Sequence, residues 1–273
     1  MRVAVAGGTG VVGDHTVRAL ARAGHEPVVL SRSLGVDVAS GRGLDEALSG
    51  VEAVVDVTNV SAFTRRASVG FFTDGTRHLL DAGERAGVRH HVALSIVGVD
   101  RVDSGYYAGK RRQEELVRSG PLPWTLLRAT QFHEFAGQLL SRVSGPLALV
   151  PRMRVQPVAA AEVGERLAGL ATAPPAGLAP ELAGPEVHEL VDLARAVAAR
   201  TGRRRWVVPV RVPGRAGRAM AAGALLPSGA GTRGGSGEGP PTSGPLTSGP
   251  LTSGPVMLGT VTFGEWLAAA DLS

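Results

Sequence analysis

The amino-terminal segment restricts the fold more than any other part of the sequence. Residues 2–6 form a short run of valine and alanine that is typical of a buried strand, and glycines follow at positions 7, 10 and 13. Residues 11–23 then show helical spacing, with apolar side chains near one face, until Gly24 ends the pattern. A strand, a tight turn and a helix in this order predict the first unit of an α/β fold with a parallel sheet.

The spacing Gly7-x-x-Gly10-x-x-Gly13 suits a loop that holds phosphate. Glycine is needed where the backbone turns tightly, where it approaches a pyrophosphate and where the helix packs on the strand. The helix N-terminus offers free N–H groups and the positive end of its dipole. Three glycines are weak evidence in a chain with 38, but their place between a strand and a helix predicts dinucleotide binding. The predicted contacts in this loop are Gly7, Thr9, Gly10, Val11, Val12 and Gly13.

The identity of the dinucleotide depends on the residues that follow the second predicted strand, 26–30. A carboxylate there would hold the ribose hydroxyls of NAD, whereas an arginine accommodates the 2′-phosphate of NADP. The chain has Arg32 between two serines and no carboxylate, so NADP(H) is favoured over NAD(H), although Arg32 is one of 28 arginines. The predicted contacts on this side of the cofactor are Ser31, Arg32, Ser33, Asp37 and Val38.

Strands continue to alternate with helices up to about residue 130. This alternation predicts an α/β protein with a Rossmann-type, doubly wound parallel sheet. The predicted strands are 2–6, 26–30, 51–58, 89–95 and 124–128, and the predicted helices are 11–23, 68–86 and 106–118.

The domain organisation follows from where this rhythm loosens. Residues 1–130 are predicted to form an NADP-binding Rossmann core, and residues 131–226 a small substrate lobe over the strand ends with elements that return to the core. Residues 227–255 contain Thr-Ser-Gly-Pro repeats, which cannot bury a face, so they predict a flexible insertion. Residues 256–273 regain an amphipathic pattern and predict a C-terminal docking helix.

The composition excludes several kinds of site. The chain has no cysteine, which excludes disulfides, thiolate metal ligands and a cysteine nucleophile. The pairs His90-His91 and His133-Glu134 lack the spacing and further partners of a metal centre, so no metal is predicted. The basic run at 203–205 is short and precedes an apolar stretch, which favours a solvated loop over a nucleic-acid surface.

The partners and the location of the protein are predicted by elimination. No apolar run reaches the ~20 residues that span a bilayer, and the chain starts directly on a strand without a leader pattern. These features predict a cytoplasmic protein with a small-molecule substrate and no membrane or nucleic-acid partner. The oligomeric state stays open.

The only lysine and the only two tyrosines lie together in the window Tyr106-Tyr107-Ala108-Gly109-Lys110. Arginine carries the other basic charge, so the lysine that remains is one that arginine does not replace, such as a compact ammonium beside a phenol. On a helix Tyr106 and Lys110 are i and i+4 and share a face, while Tyr107 is i+3 from Lys110. The window therefore predicts acid–base chemistry, with either tyrosine as the acid.

In its glycine loop, the residues after its second strand and its tyrosine–lysine window, the chain resembles the short-chain dehydrogenase/reductase superfamily, and most closely its atypical, NmrA-like branch of NAD(P)-binding proteins. The likeness covers about residues 1–160 well and the rest loosely. The residues that carry it are the three loop glycines, Ser31-Arg32-Ser33, Ser95, Tyr106-x-x-x-Lys110 and the stretches 113–117 and 124–132.

The resemblance implies roles for the residues of the window. Tyr106 would be the general acid/base, Lys110 would lower its pKa and contact the nicotinamide ribose, and Ser95 would polarise the substrate carbonyl. A free phenol has a pKa of about 10, and a nearby ammonium favours the phenolate. Thr58 and Asn59, which follow a predicted strand, are expected near the nicotinamide.

These roles predict an NADPH-dependent oxidoreductase that reduces a carbonyl or quinone-like small molecule. The apolar residues after position 130, Phe132, Phe135, Leu139 and Leu140, favour an apolar or aromatic substrate. Two alternatives remain. Many NmrA-like proteins bind the cofactor without catalysis and act as redox sensors or scaffolds, and other members of the superfamily are sugar-type epimerases or dehydratases. The predicted substrate contacts are Tyr107, Gln131, Phe132 and His133.

Overall fold

The computed structural model describes residues 1–61, 64–143, 145–202, 205–228 and 255–270. Its strands are β1 (Arg2–Ala6), β2 (Glu26–Leu30), β3 (Ala53–Asp56), β4 (His90–Ile96), β5 (Trp124–Ala129), β6 (Leu147–Pro151), β7 (Arg154–Val155), β8 (Gly177–Leu178), β9 (Glu181–Ala183), β10 (His188–Glu189), β11 (Trp206–Val210) and β12 (Val256–Leu258). Its helices are α1 (Val11–Arg22), α2 (Leu44–Ala47), α3 (Arg65–Ala86), α4 (Gly105–Ser119), α5 (Glu134–Ser141), α6 (Ala160–Thr172), α7 (Leu190–Arg200), α8 (Gly214–Ala221) and α9 (Phe263–Ala269).

A parallel sheet lies at the centre of the described part, in the order β2-β1-β3-β4-β5-β9-β12, with β8 also paired to β5. The central strands are buried on both faces, as expected when helices cover a parallel sheet on either side. Val3 and Val5 face α1 and α6, whereas Ala4 and Ala6 face the layer that contains α3. The predicted α/β, Rossmann-type fold is therefore confirmed.

The chain reverses its direction of travel across the sheet at β1. Strand β2 pairs with one edge of β1 and β3 pairs with the other, so the connection from β2 to β3 crosses over β1. Ligands of open α/β sheets bind outside the carboxyl ends of the strands at such a reversal. The end of β1 is where Gly7 begins the glycine loop.

The residues after β5 build a lobe and also return to the sheet. The parallel pair β6–β11 and the antiparallel pair β7–β10 pack with α5 and α7 around an apolar lobe core that includes Leu140, Val150 and Leu193. Helix α6 and strands β8, β9 and β12 belong to the central sheet and its helical layer. Helix α9 docks through Phe263 and Trp266, whose rings stack near His133.

Local interactions explain where the observed elements differ from the predicted ones. Helix α3 starts at Arg65 rather than at 68, because the Thr64 hydroxyl accepts a hydrogen bond from the Ala67 N–H and caps it. Residues 187–201 also have a helical pattern, but helix α7 begins only at Leu190, because His188 and Glu189 pair with β7 instead. Most of the predicted flexible insertion, residues 229–254, and the end of the docking segment, 271–273, lie outside the described residues.

None of the helices in the described ranges combines the length and the apolar character that crossing a membrane requires.

Candidate cofactor and active site

The glycine loop joins the ends of three strands. Gly7 has a φ of 82° and donates its N–H to the Leu30 carbonyl at 3.1 Å, which ties the loop to β2. A Cβ on Gly7 would lie 3.0 Å from the Val57 carbonyl oxygen, so the loop also abuts the chain that leaves β3. The left-handed backbone and the close approach both require glycine here.

The first turn of α1 leaves room and donors for phosphate. A Cβ on Gly13 would overlap the Gly7 carbonyl oxygen and lie 2.7 Å from the Gly8 Cα, so only glycine lets the helix approach the loop. No side chain caps α1 at Gly10. The first N–H groups of a helix have no intrahelical partner, so they remain available to an anion. These features fit the pyrophosphate of a dinucleotide.

The other predicted loop contacts differ in whether their side chains are exposed at the cofactor loop. Thr9 and Val11 are exposed at the start of α1. The Val12 side chain is buried in the core between α1 and the sheet, so only its backbone faces the loop.

The residues after β2 leave an arginine free. The Ser31 and Ser33 hydroxyls lie 2.9 Å apart and bond to each other. Arg32 lies between them in a short 3₁₀ turn, is exposed, and has no ion-pair or hydrogen-bond partner for its guanidinium among the described residues. An unpaired arginine beyond the end of β2 suits a phosphate on the adenosine ribose.

Asp37 and Val38 organise the next turn. The Asp37 carboxylate accepts hydrogen bonds from the Ala39 N–H at 3.1 Å and the Ser40 hydroxyl at 3.2 Å. The Val38 carbonyl lies 2.9 Å from His78 Nδ1 on α3. Both residues are half-buried, so they form a fixed wall on the adenosine side of the loop.

Tyr106 reaches the carboxyl edge of the sheet beside this loop. Its hydroxyl donates to Asn59 Oδ1 at 2.9 Å, and the same oxygen accepts the Val60 N–H at 2.8 Å. The Thr58 hydroxyl instead turns inward and donates to Asp56 Oδ1 at 2.6 Å. Because Gly7 abuts Val57, the Tyr106 hydroxyl lies next to the strand end that borders the glycine loop.

Tyr107 faces a different part of the molecule. Its ring meets the Tyr106 ring edge-on at 5.6 Å and packs against the lobe core. Burial raises the pKa of Tyr107, and the neighbouring Tyr106 raises it further. Of the two tyrosines in the window, Tyr106 is the one that holds its hydroxyl at the sheet edge.

Lys110 is buried between α4 and the sheet. Its Nζ donates to the Leu94 carbonyl at 2.6 Å and to Gln113 Oε1, and it lies 4.9 Å from the centre of the Phe72 ring. Gln113 Nε2 donates in turn to Asp56 Oδ2 at 2.7 Å. Burial lowers the pKa of Lys110 to about 8, against the opposing attraction of Asp56 and Glu114.

The expected tuning of Tyr106 by Lys110 is not what this arrangement produces. Burial raises the pKa of Tyr106 to about 12, and no hydrogen bond joins Lys110 to either tyrosine hydroxyl in the described structure. The two side chains point in opposite directions, because the Lys110 side chain runs inward to the Leu94 carbonyl, whereas the Tyr106 phenol runs outward to Asn59.

Ser95 lies on the face of the sheet that α4 covers. Strand residues alternate between faces, so Ser95 shares a face with Ala93, which packs against Val117 of α4. Its hydroxyl is buried and has no hydrogen-bond partner among the described atoms. The structure therefore brings Ser95 and Lys110 to the same layer, but it does not link Ser95 to Tyr106.

A cavity of about 340 Å³ opens beside the first turn of α1, between α5 and α7. Its apolar walls include Val11, Leu140, Val197 and Trp266. Glu134 also lines it: one carboxylate oxygen accepts the Trp266 Nε1–H at 3.2 Å, and the other is buried without a partner among the described residues. Burial raises the pKa of Glu134.

The three predicted substrate contacts after β5 have different surroundings. Both polar atoms of the Gln131 amide are buried without partners in the described structure, so this side chain has unused hydrogen-bonding capacity. Phe132 is half-buried and pairs through its backbone with Val158. His133 is buried beneath α9, with Nε2 at 3.0 Å from the Val261 carbonyl, so it positions the docking helix.

Sequence reasoning missed two buried polar residues of this region, Asp56 and Gln113, and the half-buried Glu134. Asp56 stands inside an apolar strand run, and a charge in that position signals a buried partner. Gln113 is i+3 from Lys110, a spacing that places both on one helix face. Glu134 accepts a hydrogen bond from Trp266, which is 132 positions away in the chain, so no local pattern indicates it.

The buried lysine predicts an unusual stability profile above neutral pH. The folded pKa of Lys110 is about 8, and the unfolded value is about 10.4. Between these values the unfolded chain holds more protons, so the free energy of unfolding should rise with pH, by at most about 1.4 kcal/mol per pH unit. Above pH ~10, the pKa of an unfolded tyrosine, the folded protein keeps the Tyr106 proton because the folded pKa is about 12. The free energy of unfolding should then fall as the pH rises.

Urea denaturation between pH 7.5 and 10 measures this slope, and the chain has no cysteine and no second lysine to confuse it. Lys110→Met is the control, because it removes the titrating group and keeps the length of the side chain. A wild-type slope equal to that of Lys110→Met would contradict the assignment.

The sheet, the reversal at β1 and the glycine loop together define a Rossmann-type protein that binds a nicotinamide dinucleotide. The chain belongs to the NAD(P)H-binding family, whose model matches residues 7–147. The predicted NAD(P)-binding character of the chain and the predicted nicotinamide cofactor are thereby confirmed.

Two curated relatives are named as reductases. The chain is 32% identical over 144 residues to a (4-alkanoyl-5-oxo-2,5-dihydrofuran-3-yl)methyl phosphate reductase of Streptomyces griseus, a match that covers 48% of each chain. It is 34% identical over 132 residues to a ceramide reductase of Caulobacter vibrioides, a match that covers 43% of this chain and 42% of that one. The match thus spans about half the length of these relatives or less.

A solved structure shows the same fold. A short-chain dehydrogenase/reductase superfamily protein from Agrobacterium tumefaciens with bound NAD superposes with a TM-score of 0.60 at 23% identity. The superposition covers 78% of this chain and 86% of that one.

Proposed function

We propose that the protein is an NADPH-dependent reductase of a carbonyl compound with an apolar portion, and that Tyr106 is its proton donor. The observation that carries this proposal is the Tyr106 hydroxyl, held at 2.9 Å by Asn59 Oδ1 at the strand end beside the glycine loop. A proton donor in that place lies at the edge of the sheet where nicotinamide cofactors bind in this fold.

The protonation state of Tyr106 suits reduction. When bound, the reduced nicotinamide supplies the hydride. Tyr106 then gives its proton to the substrate oxygen as negative charge develops there. With a pKa raised to about 12, the phenol stays protonated across the neutral range, so its proton is in place when the substrate oxygen gains charge. The reverse oxidation needs the phenolate, which is scarcely populated in this range.

The environment of Tyr106 assigns supporting roles. Asn59 orients the hydroxyl, and the Phe72 ring meets the Tyr106 ring edge-on at 6.1 Å. Lys110 places an ammonium under the site, fixed by the Leu94 carbonyl and Gln113. Ser95 has no assigned contact with the substrate in this proposal, because its side chain faces α4.

The cavity beside α1 supports an apolar substrate. Its walls are aliphatic and aromatic, and Glu134 adds a carboxyl group to the lining. The names of the two relatives include an alkanoyl compound and ceramide, which both have apolar portions.

Turnover tests the proposal directly. NADPH consumption would be followed against a panel of ketones and aldehydes that differ in alkyl chain length, with quinones as a second set. The expected result is consumption that increases with chain length up to the size of the cavity. Tight NADPH binding without consumption of any member would contradict catalysis.

Arg32 should set the preference for NADPH. We expect Arg32→Gln to weaken NADPH binding by about 10–100-fold, as for loss of one charge-assisted phosphate contact of 1.5–3 kcal/mol, and to leave NADH binding unchanged. Titration calorimetry with both cofactors measures this. Arg89→Gln is the control, because Arg89 precedes β4 at the opposite edge of the sheet. Equal losses for NADPH and NADH would refute the assignment.

A second candidate is a non-catalytic NADP(H)-binding sensor. It is favoured by one observation: Lys110 and Ser95 lie in the layer beneath α4 without a hydrogen bond to Tyr106. This candidate predicts that affinities for NADP and NADPH differ strongly while no substrate of the panel is reduced.

A further inference from the structure

Charge is segregated along the chain. Residues 135–161 and 193–228 contain eleven arginines and not one aspartate or glutamate. All 24 acidic residues lie in the other 210 positions, whose net charge is −6, although the whole chain is at +5. Such segregation gives one part of the molecule a strong positive potential.

The fold brings these two stretches together in the lobe. Strand β6 comes from the first stretch and β11 from the second, and they pair in parallel, with Trp206 opposite Leu147 and Val208 opposite Leu149. Helices α5 and α7 hold the same two stretches together behind the strands. The two arginine-rich stretches therefore share the lobe, whose acidic residues include Glu134, Glu189 and Asp192.

The outer face of this strand pair is apolar. The exposed fractions are 50% for Leu147, 58% for Leu149, 75% for Trp206 and 37% for Val208. These four residues, called here the docking face, alternate with Ala148 and Val150, which are buried in the lobe core. In the described part of the chain nothing covers the docking face, although the inner face of the same strands is packed.

Arginines stand at the ends of the docking face. Arg152 and Arg211 follow the two strands, and the Arg152 N–H donates to the Val210 carbonyl at 2.9 Å. Arg205 directly precedes Trp206, but its guanidinium donates to the Leu140 carbonyl on the inner side of the strand pair. Arg152 and Arg211 are exposed and form no ion pair with a described residue.

We propose that the docking face binds the surface of an anionic lipid bilayer. Leucine and tryptophan would enter the boundary between headgroups and acyl chains, where indole rings are favoured, while Arg152 and Arg211 pair with lipid phosphates. A nucleic acid would satisfy the arginines, but it would leave the four apolar side chains in water. The bilayer surface is the partner whose chemistry matches both.

Such a peripheral contact revises the expectation that the protein has no membrane partner, which rested on the absence of a spanning segment. It requires no membrane-crossing helix. Arg205 also lines the cavity beside α1, so a bilayer on this face would lie next to that cavity.

Co-sedimentation of the full chain with vesicles tests the proposal. We expect binding to vesicles of phosphatidylglycerol and phosphatidylcholine in equal parts, little binding to phosphatidylcholine alone, and loss of binding as salt is added. Leu149→Ser combined with Trp206→Ser should reduce the partition coefficient by about tenfold or more, because two exposed apolar anchors are lost. NADPH affinity and Tm should not change in this variant.

Leu258→Ser is the matched control, because Leu258 is 59% exposed, as Leu149 is, but lies on β12 outside the basic lobe. It should bind vesicles like the wild type. The proposal is overturned if no vesicle is bound, if neutral vesicles are bound equally, or if the double variant binds as well as the wild type. A change of oligomeric state in the double variant, without vesicle binding by the wild type, would assign the face to a second copy of the chain.

Discussion

Tyr106→Phe should reduce the turnover number by about 10²–10⁴-fold, the range for loss of a general acid. The Kd for NADPH should stay within about twofold, because only one hydroxyl group is removed. The substitution deletes one oxygen atom. The phenyl ring keeps its edge-on contacts with Phe72 and Tyr107, and Asn59 Oδ1 keeps the Val60 N–H as a donor. The fold and the cofactor loop should therefore be unaffected.

Tyr107→Phe is the control for this experiment, because it removes the same atom from the neighbouring residue. Tyr107 packs on the lobe core and forms no hydrogen bond through its hydroxyl with the described residues, so its loss should change turnover little. Single-turnover rates and equilibrium NADPH binding on both variants separate chemistry from binding. Full activity of Tyr106→Phe with loss in Tyr107→Phe would move the proton donor to Tyr107.

The parts of the fold that the sequence predicted depend on local patterns. The strand, glycine loop and helix at the amino terminus are encoded within consecutive residues, because Gly10 and Gly13 both approach the backbone of Gly7, only a few positions away. The alternation of strands and helices likewise identified the parallel sheet. Each of these signals can be read without knowing what lies elsewhere in the chain.

The parts of the site that were not predicted depend on distant contacts. Lys110 was expected beside a phenol, but its neighbour Gln113 is held by Asp56, which is 57 positions away in the chain. The face on which Ser95 lies is set by the pleat of β4 and by the helix that covers it. The burial of His133 depends on Val261, which is 128 positions away. No local pattern carries this information.

Replacement of Gly13 by alanine should have the largest effect on cofactor binding. The new Cβ would overlap the Gly7 carbonyl oxygen and lie 2.7 Å from the Gly8 Cα, and both are backbone atoms that cannot rotate away. Helix α1 and the loop must then separate, which moves the free N–H groups that face the phosphates. We expect the free energy of unfolding to fall by about 1–3 kcal/mol and NADPH affinity to fall by at least about tenfold, the equivalent of 1.4 kcal/mol.

Gly70→Ala makes the same chemical change, but we expect it to raise the free energy of unfolding instead of lowering it. Gly70 lies inside α3, and a Cβ there would meet no atom within 4 Å. Alanine should therefore stabilise the protein by about 0.5–1 kcal/mol, since it lowers the entropy lost when the helix forms. Thermal unfolding with and without NADPH compares the two variants: added NADPH should raise the Tm of Gly70→Ala as it does for the wild type, and the Tm of Gly13→Ala much less. Equal NADPH-induced shifts would show that the close packing of α1 on the loop is not what holds the cofactor.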